Sequence, residues 1–326
     1  GQTIKWNGTN WVPGDIEESA SSTQKAIFGF GHLGVTYTNV TNLVSSSGVV
    51  ATDTTGVGTI RNDLAAAGYG GDKAIFGFGF DSIGYRVSAT NLVSSSGVVA
   101  TDTTGVGTAR KDLAAAGYGG DKAIFGFGNT GVGSLQPPTN ITNLVSNTGV
   151  VSTDTTGVGT IRRDLAAAGY GEDKAIFGFG FGVSTSVART NITNLVSNTG
   201  VVASDTTGVG SARRNLTGVG YGGDKAIFGF GDTQDETNIT NLVSNTGVVS
   251  TDTTGVGTAR NGLAAAGYGG DKALFGFGLY YEMPDYGYGS DVLVNVTNLV
   301  SNTGVVASDS TGVGTARNGL AAAAYS

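Results

Sequence analysis

Side chains that commonly do acid–base, nucleophilic or metal chemistry are scarce in this chain. There is one His, His32, and no Cys. The lack of Cys removes disulfides, thiolate metal sites and cysteine nucleophiles, and with a single His it rules out a His-rich copper centre. A Ser–His–acid triad would have to be built around His32 alone. The Glu residues (Glu17, Glu18, Glu172, Glu236 and Glu282) are scattered without a pair pattern. Glycoside hydrolysis takes two carboxylates roughly 5–10 Å apart. The nearest candidate pair is Asp285 with Asp291, in one long segment. The acidic stretches DTQDET and MPDYGYGSD offer oxygen ligands for Ca²⁺, but such stretches are more often simply solvated. The expectation is therefore no catalytic group, no metal and no cofactor.

The elements that would position any site follow from an internal repeat. LAAAGYGGDKAIFGFG starts at Leu64 and again at Leu113, with near copies at Leu165, Leu216 and Leu263. The Lys opening KA(I/L)FGFG falls at Lys25, Lys73, Lys122, Lys174, Lys225 and Lys272, a period of 47 to 52 residues. That period suits a four-stranded propeller blade. Within a unit, LAAAGY reads as a strand of small residues and GYGGDK as a hairpin turn. KAIFGFG is a second strand, and a segment of variable sequence follows. TNLVS is a third strand, SNTG a turn tolerant of positive φ, and GVVAS a fourth strand. Strand alternation places Ala26, Phe28 and Phe30 on one face and Lys25, Ile27 and Gly29 on the other. Twelve of the fourteen Phe residues sit at these two positions across the copies. They read as core, each pair packing on the neighbouring blade beside its strand Gly.

The ends of the chain extend the pattern. The first unit starts at KAIFGFG without an LAAAGY strand, and the last stops at Leu320-Ala-Ala-Ala-Ala-Tyr-Ser326. Together they complete one blade. The fold expected is all-β: a six-bladed β-propeller with four antiparallel strands per blade, closed by the C-terminal strand in the first blade. Residues 1–20 form a Trp-containing leader or strap, and 21–326 the propeller.

Composition bounds the partners. The 326 residues include 57 Gly and 4 Pro, which suits short strands and tight turns. A formal charge of −7 opposes nucleic-acid binding, which wants a basic stripe. No apolar run approaches the roughly 18 residues of a membrane span, so membrane insertion is not expected. The N-terminus has neither a signal pattern nor an initiator Met, as expected of a mature product or an excised piece.

Recognition is sought where the copies differ, in the segment after GFG. It reads HLGVTYTNV after Gly31, FDSIGYRVSA after Gly79 and NTGVGSLQPPTNI after Gly128. The others are FGVSTSVARTNI, DTQDETNI and LYYEMPDYGYGSDVLVNV. All six are expected on one rim. The candidate ligand-binding residues are His32, Tyr37, Tyr85, Arg86, Tyr280, Tyr281, Asp285, Tyr286 and Tyr288, because aromatic and charged side chains on a rigid scaffold serve recognition. Neutral drift in solvent-facing loops is the competing reading. One Arg per unit (Arg61, Arg110, Arg162, Arg213, Arg260, Arg317) follows an Asp by eight residues. Such a ring could bind anions, but strict repetition favours a structural role, each Arg pairing with Asp or backbone carbonyls. Asn-x-Thr triplets at Asn7, Asn140, Asn191 and Asn238 would carry glycans only in a eukaryotic secretory setting; the last three read as strand-edge residues.

The Arg before a small-residue strand, the hydrophobic strand ending in glycines and the TNLVSNTG strand-turn together resemble the kelch-type β-propellers over residues 21–326. Gly-Phe-Gly replaces the usual double Gly, and the late Trp is missing. Kelch propellers include scaffolds, adaptors and enzymes, so the resemblance implies a fold more than a function. The (S/T)D(T/S)TG stretch is similar to the Asp-box of sialidases, a turn marker, with shifted glycine spacing and no Trp. The leader WNGTNWVPG resembles segments of phage tail-fibre and virion proteins. These features imply a non-enzymatic binding or structural module on a virion or other extracellular appendage. Its expected partner is a surface glycan or another virion or host-surface protein. The alternatives are a carbohydrate-active hydrolase or lyase on the same rim, or a kelch-type interaction adaptor.

Overall fold

The computed structural model describes residues 4–6, 10–13, 23–131, 137–183, 187–283 and 288–326, and every regular element among them is a β-strand. The core consists of six three-stranded antiparallel sheets, each ordered inner, middle, outer. One sheet runs Ala65–Tyr69, Lys73–Gly77, Thr90–Val93. The next four repeat it with inner strands Ala114–Tyr118, Ala166–Tyr170, Thr217–Tyr221 and Ala264–Tyr268. In the remaining sheet the inner strand is Ala321–Tyr325, paired with Lys25–His32 in the register Ala321↔Gly29 to Tyr325↔Lys25. Tyr37–Val44 forms its outer strand. The two ends of the repeat thus share a sheet. Residues Ile4–Trp6 and Trp11–Pro13 pair separately as a short antiparallel hairpin.

Three consecutive Ala favour a helix by propensity, but a five-residue run closed by Gly-Gly is too short to nucleate one. Gly70 and Gly71 both adopt positive φ (64° and 80°), as a tight hairpin requires. Small side chains then let the inner strands approach one another.

The sequence reading needs correction at two points. GVVAS does not form a continuous fourth strand; it meets the outer strand at isolated bridges such as Val93↔Val99 and Thr90↔Thr103. Between these, Ala100 N–H donates to Leu92 O at 2.8 Å, but the Asn91 side-chain amide takes Ala100 O at 3.0 Å and Asp102 Oδ1 at 2.8 Å, so only one backbone bond of that stretch forms. The second correction concerns the Phe pair. Phe28 packs with Leu274 and Phe277, whereas Phe30 packs with Phe76 and Val93 on the opposite face. Alternation breaks because Phe30 has φ 65° and the pairing register shifts between Gly29 and Gly31. The equivalents Phe78, Phe127, Phe179, Phe230 and Phe277 have φ of 63–64°. Positive φ is strained for a bulky side chain. Here it lets one strand supply an aromatic ring to both neighbouring sheets.

The first Phe of each pair does pack on the neighbour's strand Gly. A Cβ on Gly77 would lie 2.7 Å from Phe125 Cζ, and one on Gly276 would lie 2.9 Å from Phe28 Cζ. Phe28–Phe277 and Phe30–Phe76 ring centroids lie 5.1 and 5.2 Å apart, with interplanar angles of 59° and 60°. Such a contact recurs between each successive pair of sheets, and with Phe28 against Phe277 the series returns to its start. Burying each ring contributes about 1.5–3 kcal/mol.

Candidate binding face

Two residues separate each repeated Arg from the Leu of its inner strand, and they differ from copy to copy. The second of the two is Asp63, Asp112, Asp164, Asn215, Gly262 or Gly319, with φ between 51° and 61°. Asp, Asn and Gly are the residues that tolerate this left-handed geometry. Each donates its backbone N–H to the same position in the preceding unit. The bonds run Asp112 to Asp63 (3.0 Å), Asp164 to Asp112 (2.9 Å), Asn215 to Asp164 (2.9 Å) and Gly262 to Asn215 (3.1 Å). Gly319 to Gly262 (2.9 Å) and Asp63 to Gly319 (2.8 Å) complete a hydrogen-bonded circle. A second circle joins the turns at the other end of the inner strands, from Gly70 N to Asp121 O through to Ser326 N to Asp72 O.

The first residue of each pair faces the variable segment of its sheet. Asn62 pairs with Phe80, Lys111 with Asn129, Arg163 with Phe181 and Arg214 with Asp232. Asn261 pairs with Leu279 and Asn318 with His32. All six variable segments therefore start beside the first circle. Neighbouring segments also touch: Tyr37 and Phe80 rings lie 6.3 Å apart, and Arg86 donates to Asn129 Oδ1 at 3.0 Å. Arg189 donates to Asp232 Oδ1, and a Cβ on Gly34 would contact Leu293.

Inside the circle's mouth lies a cavity of 250 Å³, lined by polar side chains and glycines. One half is charged. Lys111 Nζ lies 3.0 Å from Asp63 and 3.5 Å from Asp112, and Arg163 lies 3.1 Å from Asp164 and 4.0 Å from Asp112. Arg214 pairs with Asp232 at 3.2 Å. Phe80 lies beneath Lys111 and Phe181 beneath both Arg163 and Arg214, with cation-to-ring distances of 5.1–5.2 Å. The other half holds Asn215, Asn261, Asn318, Gly262 and Gly319. Burial pushes the Asp112 carboxyl well above the ordinary range, and the charges of Asp164 and Asp63 push the same way. Burial also raises Asp164. Burial alone would depress Lys111, but Asp63 and Asp112 outweigh it and raise its pKa.

The residues singled out from sequence occupy this face unevenly. His32 packs on Tyr37 at 5.1 Å between ring centroids, and burial, aided by the Asp63 charge, raises the Tyr37 phenol. Arg86 bonds to Asn129 and lies 5.8 Å from the Phe80 ring. Tyr85 is exposed, its backbone N–H held by Asp81 Oδ1 at 2.8 Å. Tyr280 and Tyr281 lie on the hairpin Leu279–Glu282/Ser290–Leu293, and Tyr288 is fully exposed. Asp285 and Tyr286 lie outside the described residues. No group of three or more His, Cys, Asp and Glu residues that could hold a metal occurs among the described residues.

The Arg residues are structural. All six are fully buried. Arg260 donates through Nε to Phe277 O at 2.8 Å and through Nη2 to Asn298 Oδ1 at 2.7 Å, and its guanidinium lies 4.4 Å from the Phe230 ring. The acidic partner is not the Asp eight residues upstream but the Asp of the next unit: Arg61 meets Asp102 at 3.6 Å and Arg260 meets Asp309 at 3.8 Å. Burial pushes these guanidinium groups down to about 10, so they stay charged at neutral pH. Asn140, Asn191 and Asn238 use their amides to bond Gly159, Gly210 and Gly257 carbonyls at 2.6 Å.

Sequence reasoning missed the mouth residues, although its own rule applied to them. NDL, KDL, RDL, RNL, NGL and NGL are a second place where the copies differ, embedded in the repeated framework. No protein-family model and no curated protein matches the chain.

Proposed function

We propose that the chain is a six-bladed β-propeller, with the bridged GVVAS segment as the fourth strand of each blade, acting as a non-enzymatic recognition module. Its variable face engages a surface glycan or a neighbouring protein. The tail-fibre-like leader supports placement on a virion or other extracellular appendage. One observation carries the reading: the two places where the copies differ most, the segment after GFG and the pair before the inner strand, pair with each other around one mouth. The opposite end repeats GYGGDK with little change. Drift accounts for differences in exposed loops, but the pair before the inner strand lies within the repeated framework and differs at the same mouth, which favours recognition.

A glycan array and a panel of bacterial envelopes test this. The expected result is selective binding that is lost in the Tyr280→Ala/Tyr281→Ala double variant. Absence of binding to every glycan and envelope contradicts recognition of a host surface and leaves a contact with a neighbouring protein or a purely structural part. A second reading, a carbohydrate-active hydrolase on this face, draws on Asp112. Burial raises its pKa, as suits a general acid, and it lies 3.5 Å from the Lys111 that pairs with Asp63. Release of reducing sugar that stops in Asp112→Asn would favour it.

A further inference from the structure

We infer that the axial mouth is a pocket for one uncharged, hydroxyl-rich unit, such as a terminal neutral sugar residue of a glycan. This rests on the glycan-recognition reading above and assigns the ligand to the mouth instead of the loop tips. The cavity measures 250 Å³, and every side chain lining it is polar. Its charges already have partners: Lys111 has Asp63, Arg163 has Asp164 and Arg214 has Asp232. A charged ligand would bring an unmatched charge into a half-buried set whose charges are already paired, which is unfavourable.

Hydrogen-bonding capacity is not used up. A guanidinium carries five N–H donors and a carboxylate about four acceptor sites, more than the ion pairs of Arg163 with Asp164 and Arg214 with Asp232 take up. Sugar hydroxyls supply donors, and their oxygens accept from guanidinium and amide N–H groups. The asymmetry fits the same ligand: carboxylates and guanidiniums line one side, while Gly262 and Gly319 keep the other open.

Saturation-transfer NMR and calorimetry with the methyl glycosides of glucose, galactose, mannose and N-acetylglucosamine test the assignment on the full chain. Glucuronic acid, sialic acid and glucosamine serve as charged probes. The expected result is binding of at least one neutral glycoside, weakened tenfold or more in Arg163→Gln and in Gly262→Asn. The second variant installs at 262 the residue found at the equivalent Asn215, whose backbone shares the same left-handed geometry. Val98→Ser, on an exposed turn, should bind like the parent. Thermal melts verify that each variant folds. If arrays show glycan binding that neutral glycosides do not compete and Gly262→Asn does not weaken, the mouth assignment is wrong while recognition stands. Preference for a charged probe overturns the ligand class. Silence from both array and glycosides overturns both readings.

Discussion

The backbone N–H of Asp63 donates to the carbonyl of Gly319 at 2.8 Å, joining positions 256 residues apart. That bond is one of six equivalent bonds round the mouth, so the unit that spans both ends of the repeat is built like the others. With the inner strands held in a circle, every residue just before them is brought to one place. The mouth is thus a consequence of the fold, and its chemistry is set by which residues occupy two positions per unit.

The contact between Phe rings and strand glycines predicts a sharp contrast between two glycines. Gly77→Val should cost about 1–3 kcal/mol or more by overpacking, because Phe125 Cζ already lies 2.7 Å from the new Cβ. Gly71→Ala meets no atom within 4 Å and is penalised only through its φ of +80°, by about 1 kcal/mol. Urea denaturation of both variants measures the difference.

Arg260→Ala should destabilise by about 3–5 kcal/mol, since it removes the bonds to Phe277 and Asn298 and empties a fully buried volume. Arg260→Lys should recover only part of this, having no planar fork to reach both acceptors. Thermal melts rank the two.

Acid sensitivity should be shared across the units. Burial disfavours ionisation of Asp102, but donation from the Thr59 hydroxyl and the Asn91 amide outweighs it and holds the carboxyl below the ordinary 3.8. Asp53, Asp154, Asp205, Asp252 and Asp309 are lowered in the same way. A lowered folded value means stability that is present above pH 4 and lost as pH falls through the folded pKa. The urea midpoint should drop below pH 4, and Asp102→Asn should make that drop shallower.

Asp112 carries the opposite sign. Its folded pKa is raised, so the native state holds a proton that the unfolded chain releases. Stability contributed by this group is greatest at low pH and declines as pH rises toward the folded value. The groups facing it are Asp63, Asp164, Lys111 and Arg163. Asp112→Asn should therefore flatten that decline and raise the melting temperature more at pH 7 than at pH 4.

The inner, middle and outer strands were legible because each is a short alternating run bounded by turn residues and repeated six times. The bulge was not. Nothing in GFG distinguishes a Phe continuing the alternation from one at positive φ, and only packing on both neighbours explains Phe30. GVVAS has strand composition but meets the outer strand through bridges, because the Asn91 side chain takes the Ala100 carbonyl that a continuous ladder would use. Sequence proximity points Arg61 toward Asp53, but packing of the next unit brings Asp102 to it. The variable segments were visible at the site; the Asp63–Asp112–Asp164 wall was hidden inside a stretch read as framework.

Cysteine cross-linking tests closure most directly, because the chain has no native Cys. Ala26 and Ala324 are register partners across the sheet that joins the two ends of the repeat. The Ala26→Cys/Ala324→Cys variant should oxidise to a faster-migrating, reducible species on a gel and melt at a higher temperature than its reduced form. Ala123→Cys/Ala324→Cys, with the cysteines in different sheets, should not. Failure of the first pair to cross-link in folded protein, or equal cross-linking of both pairs, would contradict the closed ring and the single mouth that depends on it.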